Sequence, residues 1–152
     1  MKKILIITII SLLIILPILW YLISPLFIDQ IVNEEVPIIT ETIDSEIQDM
    51  ILFQGTFQDA DSFHKVKGTV KVLSNGNINY LRFEDFKSTN GPDLKVYLAK
   101  DIEAKEYISL GDLKGNIGNQ NYELNDINIK EYSKVLIWCE RFSVLFGYSD
   151  LS

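Results

Sequence analysis

The chain has 152 residues, 47% of them hydrophobic, with one cysteine, one histidine and a formal net charge of −7. That length accommodates one membrane or targeting element plus one domain of roughly 100 residues, and leaves no material for a second core. Seven acids and no Lys or Arg fall within residues 29–50, whereas residues 51–152 hold 14 acids against 12 bases, so no basic stripe exists to meet a nucleic acid.

Met1-Lys2-Lys3 opens a run of 25 uncharged residues from Ile4 to Ile28. As a helix it would reach about 37 Å and cross a hydrocarbon core of about 30 Å. Pro17 and Pro25 are tolerated in membrane helices, and Trp20-Tyr21 suit a headgroup region. Lysines before the run and acids after it predict a single-pass cell-membrane protein, N-terminus cytoplasmic and C-terminal domain extracytoplasmic. The competing reading is a secretory signal cleaved near Ser24, but its apolar core is usually shorter and ends in small residues. Both readings export the domain. With no cysteine near the end of the run, a bacterial lipid anchor is excluded.

Residues 29–50 lack aromatics, are rich in like charge and carry Pro37, which predicts an extended acidic spacer with room for a short strand or helix near the domain. Their acids do not have the loop spacing of an EF-hand.

From Ile51 onward, short β-type runs alternate with turn chemistry. The first is Ile51–Phe57. In Phe63–Leu73, Val66, Gly68, Val70 and Val72 alternate with Lys65, Lys67 and Lys71. Ser74-Asn75-Gly76-Asn77 is a hairpin turn from which Ile78–Phe83 returns antiparallel. The turn Asn90-Gly91-Pro92-Asp93 feeds a strand at Leu94–Ala99. Further strands are expected at Tyr107–Leu113 and Ile117–Leu124, with Gly118–Asn121 as an amide-rich bend, and Asn125–Tyr132 holds at most a short helix.

The last run, Lys134–Tyr148, contains the lone cysteine. Period-two reading puts Leu136, Trp138, Phe142, Val144 and Phe146 on one face. Val135, Ile137, Cys139, Arg141, Ser143 and Leu145 take the other. The charged pair Glu140-Arg141 predicts a bulge or corner just after Cys139. The expected fold class is therefore all-β, an antiparallel β-sandwich preceded by a single N-terminal transmembrane helix. Residues 1–28 form the anchor, 29–50 the extracytoplasmic linker and 51–152 the sandwich domain.

One cysteine cannot form an internal disulfide, so Cys139 is an inert buried thiol, an intermolecular bridge, a redox-active thiol or a ligand. Arg141, two residues on, is the cation that would favour its thiolate. One His and one Cys cannot assemble a structural zinc or blue-copper centre, and covalent c-type haem is out too. Non-covalent haem on Cys139 or His64 remains open. Hydrolytic chemistry has weak support: there is no nucleophile elbow, no phosphate-cradling loop, and Cys139 with His64 forms a pair only if the fold joins them.

Gly55-Thr56-Phe57, His64, Gly68, the Asn-Gly hairpin, Phe86, Gly91-Pro92-Asp93-Leu94 with Val96-Tyr97-Leu98, and Trp138-Cys139-Glu140-Arg141-Phe142 through Phe146-Gly147 follow one another in an order that resembles the DM-thirteen domain. That family is a small β-sandwich module found alone or beside DOMON domains in cell-surface proteins. The likeness spans about Ile51 to Leu151. It implies an extracytoplasmic electron-transfer role with a redox protein partner, in which Cys139 acts as a naked thiol or holds a prosthetic group such as haem. His64, Asp93, Trp138 and Arg141 are the supporting candidates. His64 and Asp93 serve equally well as structural residues, Asp93 fixing its turn through side-chain bonds to the backbone and His64 capping a strand end. The rival is a non-catalytic binding or adhesion module with Cys139 as core packing and the Asn90–Asp93 and Gly115–Asn121 loops as its contacts.

Overall fold

The computed structural model describes residues 2–24, 27–37, 51–74 and 78–152. Helix α1 (Lys2–Ile23) is uncharged from Ile4 on, its stretch Lys2–Tyr21 is not buried, and Pro17 lies inside it. At 1.5 Å per residue its 22 residues reach about 33 Å. It fits a single-pass membrane anchor or a signal sequence.

Ten strands follow. They are β1 (Ile31–Asn33), β2 (Ile51–Thr56), β3 (Gln58–Asp59), β4 (Val66–Ser74), β5 (Asn79–Ser88), β6 (Leu94–Ala99), β7 (Tyr107–Asp112), β8 (Ile117–Leu124), β9 (Lys134–Cys139) and β10 (Val144–Asp150). One sheet runs β1-β8-β5-β4-β2, and the other β3-β10-β9-β6-β7. The alternation read in β4 holds: Val66, Val70 and Val72 are buried while Lys65 and Lys67 stand in solvent. Between the sheets, Val70, Val72, Leu81, Phe83 and Phe86 of the first meet Val96, Leu98, Val135, Ile137 and Phe146 of the second. Phe57 sits edge-on to Phe83 and Phe86, with centroids at 5.0 and 5.2 Å. Such edge-to-face pairs add about 0.5–1.5 kcal/mol each beyond their burial.

Several strands differ from the sequence expectation. β4 starts at Val66 and not at Phe63, because the Asp61 carboxylate accepts from the amides of Phe63 and His64 and holds that segment as a loop. Gly118–Asn121 is not a bend but part of β8, and Asn125–Tyr132 makes turns without a helix. Ser74 pairs with Asn79 as the hairpin requires, and the turn residues 75–77 lie outside the described residues.

The pairing is antiparallel except for β1, which runs parallel to β8 in the register Ile31 with Ile117 and Asn33 with Asn119. Residues 29–35 are thus bound to the sheet edge and are not a free spacer. Asn116 takes Gln30 N–H on its Oδ1 at 2.6 Å and donates from Nδ2 to Asp29 at 2.7 Å. Buried Arg82 donates to the carbonyls of Glu34 and Glu35, both at 3.2 Å. The Glu34 carboxylate accepts from Lys114 at 2.7 Å and from the Asn121 amide at 2.7 Å. Burial works to raise the Glu34 pKa, but these bonds outweigh it and hold the group below its ordinary value. Residues 38–50 of the expected linker lie outside the described residues.

Candidate functional site

Cys139 is the last residue of β9. The alternation Val135-Ile137-Cys139 points all three side chains into the main core, and the cysteine has 0% exposure. Its neighbours across the ladder are Leu94 of β6 and Val144 of β10. A greasy enclosure of this kind is the ordinary environment of a packing thiol.

The chain then turns through Glu140–Ser143, an exposed loop with Ser143 at φ 53°. The four-residue turn resets the phase. Val144 and Phe146 join the face that Cys139 occupies, whereas Leu145 joins Leu136 and Trp138 on the outer side. The expectation of one unbroken alternation through this run is therefore corrected, and the corner foreseen at Glu140-Arg141 is this hairpin. One bond crosses from the loop to the neighbouring turn, Glu140 N–H to the Asp93 carbonyl at 2.9 Å.

Among the described residues, the Asp93 side chain makes no bond to the backbone of its turn. Its carboxylate pairs with Lys95 Nζ at 3.1 Å, and Lys95 also reaches Asp112 and, at 3.6 Å, Glu140. Asp112 and Asp93 raise the Lys95 pKa, the Asp112 bond first. The turn itself is tight: a Cβ on Gly91 would lie 2.7 Å from Leu94 Cδ2 and 2.9 Å from Phe146 Cζ, so a larger residue would require those side chains to shift.

His64 does not cap a strand. Its Nδ1 meets Asp61 Oδ2 at 2.7 Å and its ring lies against Phe146, centroids 4.3 Å apart. No hydrogen bond or ring contact joins His64 to Cys139 among the described residues. Arg141 is exposed on the hairpin and makes no ion pair among the described residues, so the fold separates it from the core-facing sulfur.

Trp138 faces outward, half-buried. It belongs to a second apolar cluster with Tyr97, Leu136, Leu145 and Tyr148. Tyr97 stacks on Tyr107 with centroids at 4.2 Å and lies 6.5 Å from Trp138. Burial, with the Glu140 carboxylate next, pushes the Tyr97 phenol up to about 12. Of this aromatic cluster on the outer sheet face, Trp138 was expected as a site residue, whereas its grouping with Tyr97, Tyr107 and Tyr148 was not. The signal for it was the alternation of Tyr97 and Trp138 with core-facing neighbours.

A cleft of about 570 Å³ is lined by Ser24, Ile28 and Asp29 on one side and by Asn90–Lys95, Asp112, Leu113, Gly115 and Asn116 on the other. Neither Cys139 nor His64 lines it. A planar macrocycle needs open space beside its axial ligand, and the closed core around Cys139 has none, so haem does not fit there. Among the described residues, no cluster of three or more His, Cys, Asp or Glu suits a metal ion.

Residues 56–151 match the family model described as Electron transfer DM13. No curated protein and no solved structure matches the chain.

Proposed function

Because that match covers more than half of its length, the chain belongs to the Electron transfer DM13 family, and from this premise we propose a membrane-anchored, extracytoplasmic redox module whose working group is Cys139. The anchor is α1, with Lys2 and Lys3 on the cytoplasmic side and the sandwich outside. The thiol is guarded in the closed fold. It is reached when the Glu140–Ser143 hairpin opens, because a residue at the end of a strand needs only local fraying to be uncovered.

The observation that carries this reading is position. The family's name is electron transfer, the chain holds no second cysteine to occupy the first, and Cys139 stands beside an exposed turn. In the open form the thiol loses its proton to solvent and the thiolate attacks a disulfide of a redox partner. A Cys139–S–S–R bond forms, the partner's S–S bond breaks, and one partner thiol leaves carrying the electron pair. The number of disulfide bonds is unchanged: the Cys139 sulfur is formally oxidised by one electron and the leaving sulfur is reduced by one.

The test is exchange in the native chain. Full-length protein in detergent, given an aromatic disulfide, should release one aromatic thiol per chain and gain the mass of one mixed disulfide, and Cys139→Ala should do neither. The complete burial of the sulfur favours a second reading, a non-catalytic binding module with Cys139 as packing. Under it, no mixed disulfide forms until the domain unfolds.

A further inference from the structure

We propose that the end of the sandwich carrying the Cys139 hairpin rests on the bilayer surface, with Phe63 and Phe142 seated in the interfacial layer. This rests on the anchored reading above. The topology fixes which loops share that end. β6 begins at Leu94 and pairs with Cys139, β7 ends at Asp112 opposite Lys95, and β8 begins at Ile117 opposite Lys87. β4 begins at Val66 opposite Ser88, while β3 runs toward the start of β10. Loops 60–65, 89–93, 113–116 and 140–143 therefore emerge together.

The membrane helix arrives at the same end. Ile23 is its last residue, and six residues later Asp29 is held by Asn116. Six residues fully extended span at most about 20 Å. The distance is shorter still, since the amides of Phe27 and Ile28 both donate to the Ser24 carbonyl, at 3.0 and 3.1 Å. Ser24 and Ile28 line one cleft with Asn90–Lys95. A domain gripped this close to the helix exit cannot stand clear of the headgroups.

The side chains at that end suit such a contact. Phe63 is 83% exposed and Phe142 65%, and both lie at loop tips. Phe27 and Ile28, between helix and sheet, are exposed as well. Aromatic rings favour the interfacial region. Carboxylates that would resist anionic headgroups are mostly paired, Asp61 with His64 and Asp93 and Asp112 with Lys95. The occupant is a lipid surface.

The test uses full-length chain in vesicles of zwitterionic and anionic phospholipid. Phe63→Cys and Phe142→Cys carry an environment-sensitive thiol fluorophore, with Lys130→Cys as a control. Residue 130 lies in the connection between β8 and β9, at the opposite end of the sandwich. Unaltered chain gives the blank for Cys139. Lipids bearing a nitroxide at the headgroup should quench most of the emission at 63 and 142 and none at 130. If the chain floats with vesicles but positions 63 and 142 resist quenching as position 130 does, the inference fails alone, as it would if a protein partner covered this end. If the chain does not float with vesicles, the anchor fails and this inference with it.

Discussion

The amide of Glu140 donates to the carbonyl of Asp93 at 2.9 Å, which ties the hairpin after Cys139 to the turn before β6. The glycine-proline turn and the cysteine segment, far apart in sequence, therefore close one corner of the sandwich together. Cys139 sits under that corner, and its surroundings are apolar: Leu94 and Val144 across the ladder, Val135 and Ile137 along it.

Cys139→Ser should therefore cost about 1–3 kcal/mol, since a hydroxyl replaces a thiol where no acceptor is offered. Equilibrium denaturation of the full chain in detergent measures it. A cost near zero would mean that the sulfur is not in the closed core described.

β1 depends on a glycine. Gly118 has φ 108°, and a Cβ there would lie 2.1 Å from the Val32 carbonyl oxygen. Gly118→Ala should strain β8 by about 1–3 kcal/mol and lift β1 from the sheet edge. Hydrogen exchange should then accelerate at Glu34, whose amide bonds to the Asn119 carbonyl, with far less change in β9. Equal acceleration in both would show that β1 is integral to the sandwich core.

Glu34 offers a milder way to loosen the same contact. Its pKa is depressed in the fold, so the docking it supports is fully present above the ordinary carboxylate value of 4.5 and is lost as pH falls through the lower folded value. Glu34→Gln should remove that acid-dependent step in exchange at residues 31–34. Persistence of the step in the variant would assign it to another group.

Asp61 is held at about 2 by the His64 side chain and by the amides of His64 and Phe63. Its contribution to order in loop 60–65 is complete above 3.8 and disappears as pH falls toward about 2. The Asp61 carboxyl carbon shift, followed by NMR in detergent, should titrate with a midpoint near that low value. A midpoint at the ordinary carboxylate value would mean the loop is not closed on His64.

Much of the fold was legible in the residues. Leu94–Ala99 is a strand with the bounds read from alternation, because Leu94, Val96 and Leu98 recur at period two after the Asn90–Asp93 turn. Ile117–Leu124 keeps its expected bounds, but the polar Gly118–Asn121 stretch inside it read as a bend. A short strand or helix within residues 29–50 was expected near the domain, but its docking was not legible. It depends on Asn116, Asn119, Asn121, Lys114 and Arg82 meeting a segment some 50 to 90 positions away, and no local pattern encodes such polar pairing. At the site, the joint after Cys139 could be read from Glu140-Arg141. Which face of β9 lies inward could not, because Leu136 and Trp138 are as apolar as Val135 and Ile137. Both faces are covered, one by the main core and one by the Tyr97 cluster.

The most direct test of Cys139 as a guarded redox thiol is its modification rate by a thiol reagent as a function of denaturant, below the unfolding transition. Opening confined to the Glu140–Ser143 hairpin exposes little surface, so the rate should be measurable in the native state and nearly independent of denaturant. A rate that rises with the full slope of global unfolding would mean that the sulfur is reached only by losing the fold, and would leave Cys139 as core packing.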